Sequence, residues 1–269
     1  LYFLFLLLIA GAVSYGQISI TTNTYSQDFD VMGTNGTTYP TGWSGLRFAG
    51  SGSVGAALDL VVNNGSGTSG AVYNVGTASA SDRALGTLGS ASTIPAFGAS
   101  FVNNTGLTIT DINFSGVMEQ WKSGQDLTVE NVLFSYSLDQ AVTTLNNGNW
   151  TVFPSMDLVE KLTATTTATA VDGNNTANKT AISGNLTGLS WLNGEKLWIR
   201  WVDANDAQSD GMYAIDDLVM NFTTATAGIG KDDITGFSLY PNPVKGSKVF
   251  ISSANNYAER SVAIFDVLG

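Results

Sequence analysis

The chain has no cysteine and no histidine, and only 12% of its 269 residues are charged. Without Cys there is no disulfide framework, and without Cys or His there are no thiolate or imidazole metal ligands. The absence of His also removes every catalytic triad that uses imidazole as its base. Basic side chains are scarce: 11 Lys and Arg stand against 22 Asp and Glu, a net charge of −11, with no basic run. Nucleic acid is therefore not expected as a partner, because neutralising phosphates takes clustered cations. Long apolar runs are scarce too, and no segment of the mature chain is expected to be transmembrane, since a spanning helix needs about 20 apolar residues. No Gly-x-Ser-x-Gly elbow, P-loop or dinucleotide glycine pattern sits in a suitable context.

What is abundant is Gly (30 residues) together with Thr, Ser and Asn, set among 43% apolar and 10% aromatic residues. That apolar share is enough for a buried core and argues against disorder. The charge is unevenly placed. Residues 17–226 carry seven basic and 18 acidic side chains, whereas residues 227–269 carry four of each. The acidity belongs to the body of the chain, and the tail reads as a separate module.

Residues 1–13 (LYFLFLLLIAGAV) are apolar but too short to cross a bilayer. Small residues follow at Ser14 and Gly16, so residues 1–16 read as a signal peptide with the mature chain starting near Gln17. A buried helix or core strand is the alternative. The run lacks a basic n-region and an initiator Met, which suggests a truncated N-terminus.

From residue 17 to residue 222 apolar residues recur with period 2. The clearest segments are residues 58–62 (LDLVV), 107–117 (LTITDINFSGV), 129–138 (VENVLFSYSL), 196–202 (KLWIRWV) and 212–222 (MYAIDDLVMNF). Breaks such as Asn63-Asn64-Gly65, Asn146-Asn147-Gly148 and Asp172-Gly173-Asn174-Asn175 supply turn residues that tolerate positive φ. No stretch shows a long amphipathic helical stripe. The pattern predicts an all-β fold, an antiparallel jelly-roll β-sandwich over residues 17–222. Residues 163–170 (TATTTATA) read either as an edge strand or as a loop.

Residues 223–235 (TTATAGIGKDDIT) break the pattern and read as a linker, followed by a partial C-terminal module over residues 236–269. Residues 237–243 (FSLYPNP), the short strand KVFI at 248–251 and the ending AIFDVLG at 263–269 resemble the first half of the type A sorting domain of the type IX secretion system. That family consists of small β-sandwiches at the C-termini of proteins exported by Bacteroidota. The resemblance implies passage across the outer membrane by the type IX machinery, removal of the domain, and a secreted or outer-membrane cell-surface location. It covers 33 residues, and the family normally continues through further strands to a basic end, so the chain reads as truncated at both termini. In the body, SDRALG (81–86), Glu119-Gln120-Trp121, LWIRWVD (197–203) and AIDDLV (214–219) resemble a jelly-roll module of secreted bacterial proteins, for which no catalytic role follows.

Two groups of residues carry candidate chemistry. The first is Asp203-Ala204-Asn205-Asp206-Ala207-Gln208-Ser209-Asp210-Gly211 followed by Asp216-Asp217. Clustered carboxylates repel and need a compensating cation or donors. A hard, oxygen-seeking ion suits them, so Asp203, Asn205, Asp206, Asp210, Asp216 and Asp217 are candidate ligands for a structural Ca²⁺; the spacing is not that of an EF-hand. A solvated turn-rich loop is the alternative. A variant has Asp28 and Asp30 meet Asp216 and Asp217, because first and last strands of jelly rolls are often neighbours.

The second group is aromatic. Alternation along residues 197–202 puts Leu197, Ile199 and Trp201 on one face and Trp198, Arg200 and Val202 on the other. If the first face is core, Trp198 and Arg200 stand exposed, and Trp121 with Gln120 joins them as a platform that stacks and orients sugar rings. Ordinary packing of these tryptophans is the alternative, and Arg200 pairing with an acid such as Asp82 is another. The sequence thus points to a non-catalytic, exported sandwich that binds glycan or another surface polymer, or adheres. A polysaccharide hydrolase with paired carboxylates and a purely structural surface module are the competing readings. Glu119, Asp126 and Glu130 lie near one another in sequence, but the Glu-x-Asp-x-x-Glu strand signature of laminarinase-like sandwiches is absent.

Overall fold

A computed structural model describes residues 16–125, 127–163, 167–225, 237–240, 248 and 250–253. All of the expected signal peptide except Gly16 therefore lies outside the described residues. The chain divides into two compact units, residues 1–226 and 227–269.

The first unit begins with β1 (Ile18–Ile20), β2 (Thr24–Gln27), β3 (Trp43–Ala49), β4 (Leu60–Asn63), β5 (Ala71–Val75) and β6 (Ala84–Leu88). The long strands β7 (Ile94–Asn103), β8 (Ile109–Ser123) and β9 (Asn131–Ser137) follow. Then come the short β10 (Thr151–Val152), β11 (Leu158–Val159) and β12 (Thr169–Ala170), and last β13 (Lys179–Leu186), β14 (Lys196–Val202) and β15 (Met212–Thr224). Among the described residues the only helical elements are single 3₁₀ turns at Asp30–Met32 and Pro154–Met156. No helix among them is long and apolar enough to cross a membrane.

The strands form two sheets. One runs β1–β7–β14–β9–β10, with β3 also on β7 and β11 also on β9. The other runs β12–β8–β15–β6–β5–β4, with β13 also on β8 and β2 also on β15. All pairings in this unit are antiparallel except β1 with β7 and β4 with β5. From β7 onward the long strands alternate between the sheets, which is the jelly-roll wind expected from the pattern.

The sheets clasp one core. Leu197, Ile199 and Trp201 of β14 are buried in it as the alternation predicts, facing Ile112, Phe114, Ile215 and Met220 of the opposite sheet. The Trp201 indole stacks on Phe97 at 5.4 Å and on Trp43 at 6.3 Å, and its Nε1–H donates to the Met156 carbonyl at 2.8 Å. Burying a large side chain of this kind contributes about 1.5–3 kcal/mol.

Differences from the sequence reading have physical causes. The alternating segments form strands β4, β8, β9, β14 and β15, whose ends differ by a few residues from the apolar pattern. Strands β6 (ALGTL) and β7 (IPAFGASFVN) lack polar alternation because both of their faces are covered. At residues 163–170 only Thr169 and Ala170 form an edge strand, on Ser123 and Lys122, while residues 164–166 lie outside the described residues. The last strand runs two residues into the expected linker, and the Ala225 N–H still bonds to the Thr108 carbonyl.

In the second unit the described residues form one antiparallel hairpin, β16 (Phe237–Tyr240) with β17 (Phe250–Ser253), in register Phe237 to Ser253 and Tyr240 to Phe250. Pro241, Asn242, Pro243 and the 263–269 ending lie outside the described residues.

Candidate functional site

The aromatic platform is built differently from expectation. Trp198 does point away from the core, but it is only 5% exposed, packed with Leu46, Ala96, Val142 and Leu145. The cover is the segment between β9 and β10. Asp139 ties it by accepting from the Ala141 and Asn149 N–H groups, and Asn147 Oδ1 accepts from Thr143 and Thr144 N–H. Those bonds also hold the Asp139 carboxyl below its ordinary pKa. Gly148 takes φ +76° there, a conformation that strains residues with a side chain.

Trp121 is likewise no exposed platform. It is 1% exposed in a small cluster with Tyr73, Val75, Leu88, Met212 and Ala214 on the outer face of the β8–β15 sheet, and its Nε1–H donates to Glu119 Oε2 at 2.9 Å. A Cβ at Gly173 would run into the Trp121 indole, so the 172–175 turn closes over that ring. Gln120 is fully buried, and its Oε1 accepts from the Lys161 and Leu162 N–H groups. Trp121 and Gln120 therefore do not join Trp198 and Arg200.

Arg200 is half-buried and does not pair with Asp82. Its Nε–H donates to Ser135 Oγ at 3.0 Å, and a terminal N–H donates to the Leu145 carbonyl. The guanidinium lies 3.9 Å over the Trp150 ring and 5.0 Å from the Phe48 ring. Burial lowers its pKa to about 10, still fully charged at neutral pH. Two of the five N–H donors of the guanidinium are used in those bonds. Trp150 and Phe48, both partly exposed, thus form with Arg200 an aromatic and cationic surface on the outer face of the β7–β14–β9 sheet. Half-buried Val202 and exposed Leu133 stand opposite each other on neighbouring strands of the same face. The sequence reading found Arg200 and missed Trp150, whose flanking Asn146-Asn147-Gly148-Asn149 looked like turn composition alone.

The six candidate metal ligands fall into two separate groups. Asp206 and Asp210 meet Glu130, and each of the three places a carboxylate oxygen within 4.8 Å of the other two. Glu130 Oε2 accepts from the Gly211 N–H at 2.7 Å and the Tyr213 hydroxyl at 2.9 Å, while Asp210 Oδ1 accepts from the Asp206 N–H at 2.9 Å. Glu130 Oε1 is buried without a hydrogen-bond partner among the described residues. Asp203 lies beside the group; its Oδ1 accepts from the Ala204 N–H, and the Thr87 side chain stands beside its carboxyl. Burial raises the carboxyl of Glu130 to about 7, of Asp210 to about 6 and of Asp203 to about 8. Asn205, next to Asp206, is exposed.

Asp216 and Asp217 sit elsewhere, at a bulge of β15 where the register against β8 shifts and Asp217 takes φ +48°. Their neighbours are Glu119 and Asp82. Burial raises Asp216 to about 8 and Glu119 to about 7. The first strand, β1, pairs with β7 and not with the last, but the second does meet it: β2 pairs with β15, Asp28 and Asp217 line one depression of about 390 Å³, and Asp30 accepts from the Arg83 backbone N–H at 2.8 Å.

No family model and no curated protein matches the sequence. Among solved structures, the chain is similar to the CBM22-1 xylan-binding domain of Paenibacillus barcinonensis Xyn10C, with 15% identity, TM-score 0.36, and coverage of 75% of this chain and 95% of that one. It is similar to the cleaved adhesin domain of Lys-gingipain from Porphyromonas gingivalis, with 11% identity, TM-score 0.37, and coverage of 68% and 92%. A third is TmCBM61 in complex with β-1,4-galactotriose, with 10% identity, TM-score 0.28, and coverage of 53% and 72%.

Proposed function

We propose that the chain is a non-catalytic β-sandwich of an exported protein, and that it binds glycan or another surface polymer through the outer face of the β7–β14–β9 sheet. The observation that carries this reading is the Arg200 guanidinium, 3.9 Å over the half-exposed Trp150 ring, with Phe48 on its other flank. Sugar rings present C–H faces that stack on aromatic rings and hydroxyls that accept from fixed N–H donors. Arg200 on β14 and Trp150, immediately before β10, offer both. Export by the type IX route, to a secreted or cell-surface location, rests on the resemblance of residues 237–269 to the sorting domain and on the signal-like residues 1–16.

A hydrolase needs two carboxylates that a saccharide can reach. Glu130 and Asp210 are close enough to one another but only 3% and 7% exposed, so a chain of sugars does not reach them.

Affinity electrophoresis through gels cast with a panel of soluble polysaccharides tests this reading. The expected result is retardation on at least one polysaccharide, a drop of tenfold or more in affinity for Trp150→Ala, and a melting temperature close to that of the parent. Trp198→Phe, in the covered position, should bind as the parent does. Unchanged retardation in Trp150→Ala would place the ligand elsewhere, and no retardation on any polysaccharide would leave a structural surface module.

A further inference from the structure

We infer that Glu130, Asp206 and Asp210 form the carboxylate ligands of a Ca²⁺ site that ties the β14–β15 connection to the residue just before β9. Three observations carry this. The first is geometry. Three carboxylate oxygens, each within 4.8 Å of the others, fit around one ion, because ligands on opposite sides of a Ca²⁺ at 2.3–2.6 Å stand about 4.6–5.2 Å apart.

The second is the unmade bond. Glu130 is 3% exposed, its Oε2 is saturated by the Gly211 N–H and the Tyr213 hydroxyl, and its Oε1 faces no donor among the described residues. A buried carboxylate oxygen without a donor costs several kcal/mol unless a proton or a cation meets it. The chain makes room for this oxygen at the expense of a side chain, since a Cβ at Gly124 would run into Glu130 Oε1.

The third is charge. Lys122 is the basic side chain that acts on both Glu130 and Asp210, and its Nζ is turned to the Gly67 carbonyl at 3.1 Å. Three carboxylates, with Asp203 and Glu160 close by, concentrate negative charge among the described residues here. All-oxygen donors without Cys or His select a hard ion over zinc or copper.

The other acidic group shares the unmade bond, since Glu119 Oε1 is also buried without a partner among the described residues, but it does not share the geometry. Around Glu119 and Asp216 no three carboxylates come within ligand distance among the described residues, and Arg83 and Lys179 act on the Asp82 beside them. The ion is therefore placed by Glu130, which stands far from the Asp-rich segment in sequence, and not by Asp216 or Asp217.

The full chain is tested without reference to sugars, so failure here and failure of the glycan reading are separate results. Thermal unfolding is followed in excess CaCl₂ and in chelator. At a hundredfold excess over Kd, ligand linkage in a domain of this size raises the melting temperature by roughly 5–10 °C. The double variant Asp206→Asn, Asp210→Asn should lose that shift while still melting cooperatively in chelator, and Glu119→Gln should keep it.

Terbium provides a second readout at ambient temperature. With the Tyr213 hydroxyl on a proposed ligand, Tb³⁺ in the site should show luminescence sensitised by aromatic excitation. Added Ca²⁺ should quench it, and the double variant should lack it. Absence of both the calcium shift and the terbium signal in the parent chain overturns the proposal. So does retention of both in the double variant, or their loss in Glu119→Gln alone.

Discussion

The two acidic groups of the sandwich look alike in composition and differ in how their charge is met. Around Glu119 the compensation is internal and partial, since its Oε1 is buried without a partner among the described residues. The Trp121 indole donates to one oxygen, and the positive charges of Lys179 and Arg83 act on the adjoining Asp82. Around Glu130 the donors are a backbone N–H and a tyrosine hydroxyl, neither of them charged, while three carboxylates crowd together. A cluster of acids with basic side chains woven into it is a structural network. The cluster around Glu130 brings three carboxylate oxygens within 4.8 Å of one another, with Lys122 acting on Glu130 and Asp210.

That contrast can be broken or sharpened by mutation. The largest effect is expected at Arg83, which is buried and donates from Nε to Asn74 Oδ1 and from a terminal nitrogen to the Asn74 carbonyl, each at 2.7 Å. Arg83→Ala should cost about 3–5 kcal/mol in urea unfolding, because it strands Asn74 and removes positive charge beside Asp82 and Asp30. A loss below about 1 kcal/mol would mean that internal compensation is not what distinguishes this group.

Glu119 should report through pH. Its carboxyl, held up at about 7 by burial and ordinarily near 4.5, binds a proton more tightly folded than unfolded. Stability from this group is thus present at acid pH and is lost as pH rises from about 4.5 through about 7. Glu119→Gln should flatten that decline, by no more than about 3 kcal/mol. Parallel pH profiles for the two proteins would show that Glu119 is ionised in the fold at no cost.

Lys122 sharpens the other side. Lys122→Met removes the cation beside Glu130 and Asp210, so it should destabilise the chelated protein by about 1–2 kcal/mol and enlarge the calcium effect. An unchanged calcium response would separate Lys122 from the site. Smallest of all, Asn205→Ala, exposed and bonded only weakly to the Asp206 carbonyl, should shift stability by less than about 0.5 kcal/mol and leave the calcium response intact.

Much of the architecture is legible in the amino-acid order, and the limits of that legibility are physical. Period 2 in KLWIRWV correctly divides Leu197, Ile199 and Trp201 from Trp198, Arg200 and Val202. It says which residues share a side of the sheet, and nothing about whether that side is wet. The wetness of Trp198 is decided by Val142 and Leu145, carried in by a connection whose Asn, Thr and Gly content resembles any turn. For the same reason β7 escapes the pattern: with both of its faces covered there is no polar alternation to detect.

The acidic segment shows a second limit. Local density of Asp marks residues 203–217 correctly as unusual, yet adjacency in sequence is not adjacency in space. A bulge in β15 sends Asp216 and Asp217 to Glu119, while Asp206 and Asp210 turn toward Glu130, whose Oε2 meets the N–H of Gly211 from 81 positions away. A lone Glu preceding a strand carries no signal of its own in a single sequence.

The placement of β15 has a mechanical consequence. This last strand of the sandwich is not at an edge: β8 runs along one side of it for most of its length, and β6 and then β2 flank the other. A force applied at Thr224 therefore loads ladders on both sides in shear, with many hydrogen bonds sharing the strain, rather than peeling one edge bond at a time. Anything tethered through the residues that follow Thr224 pulls on the best-anchored strand of the fold.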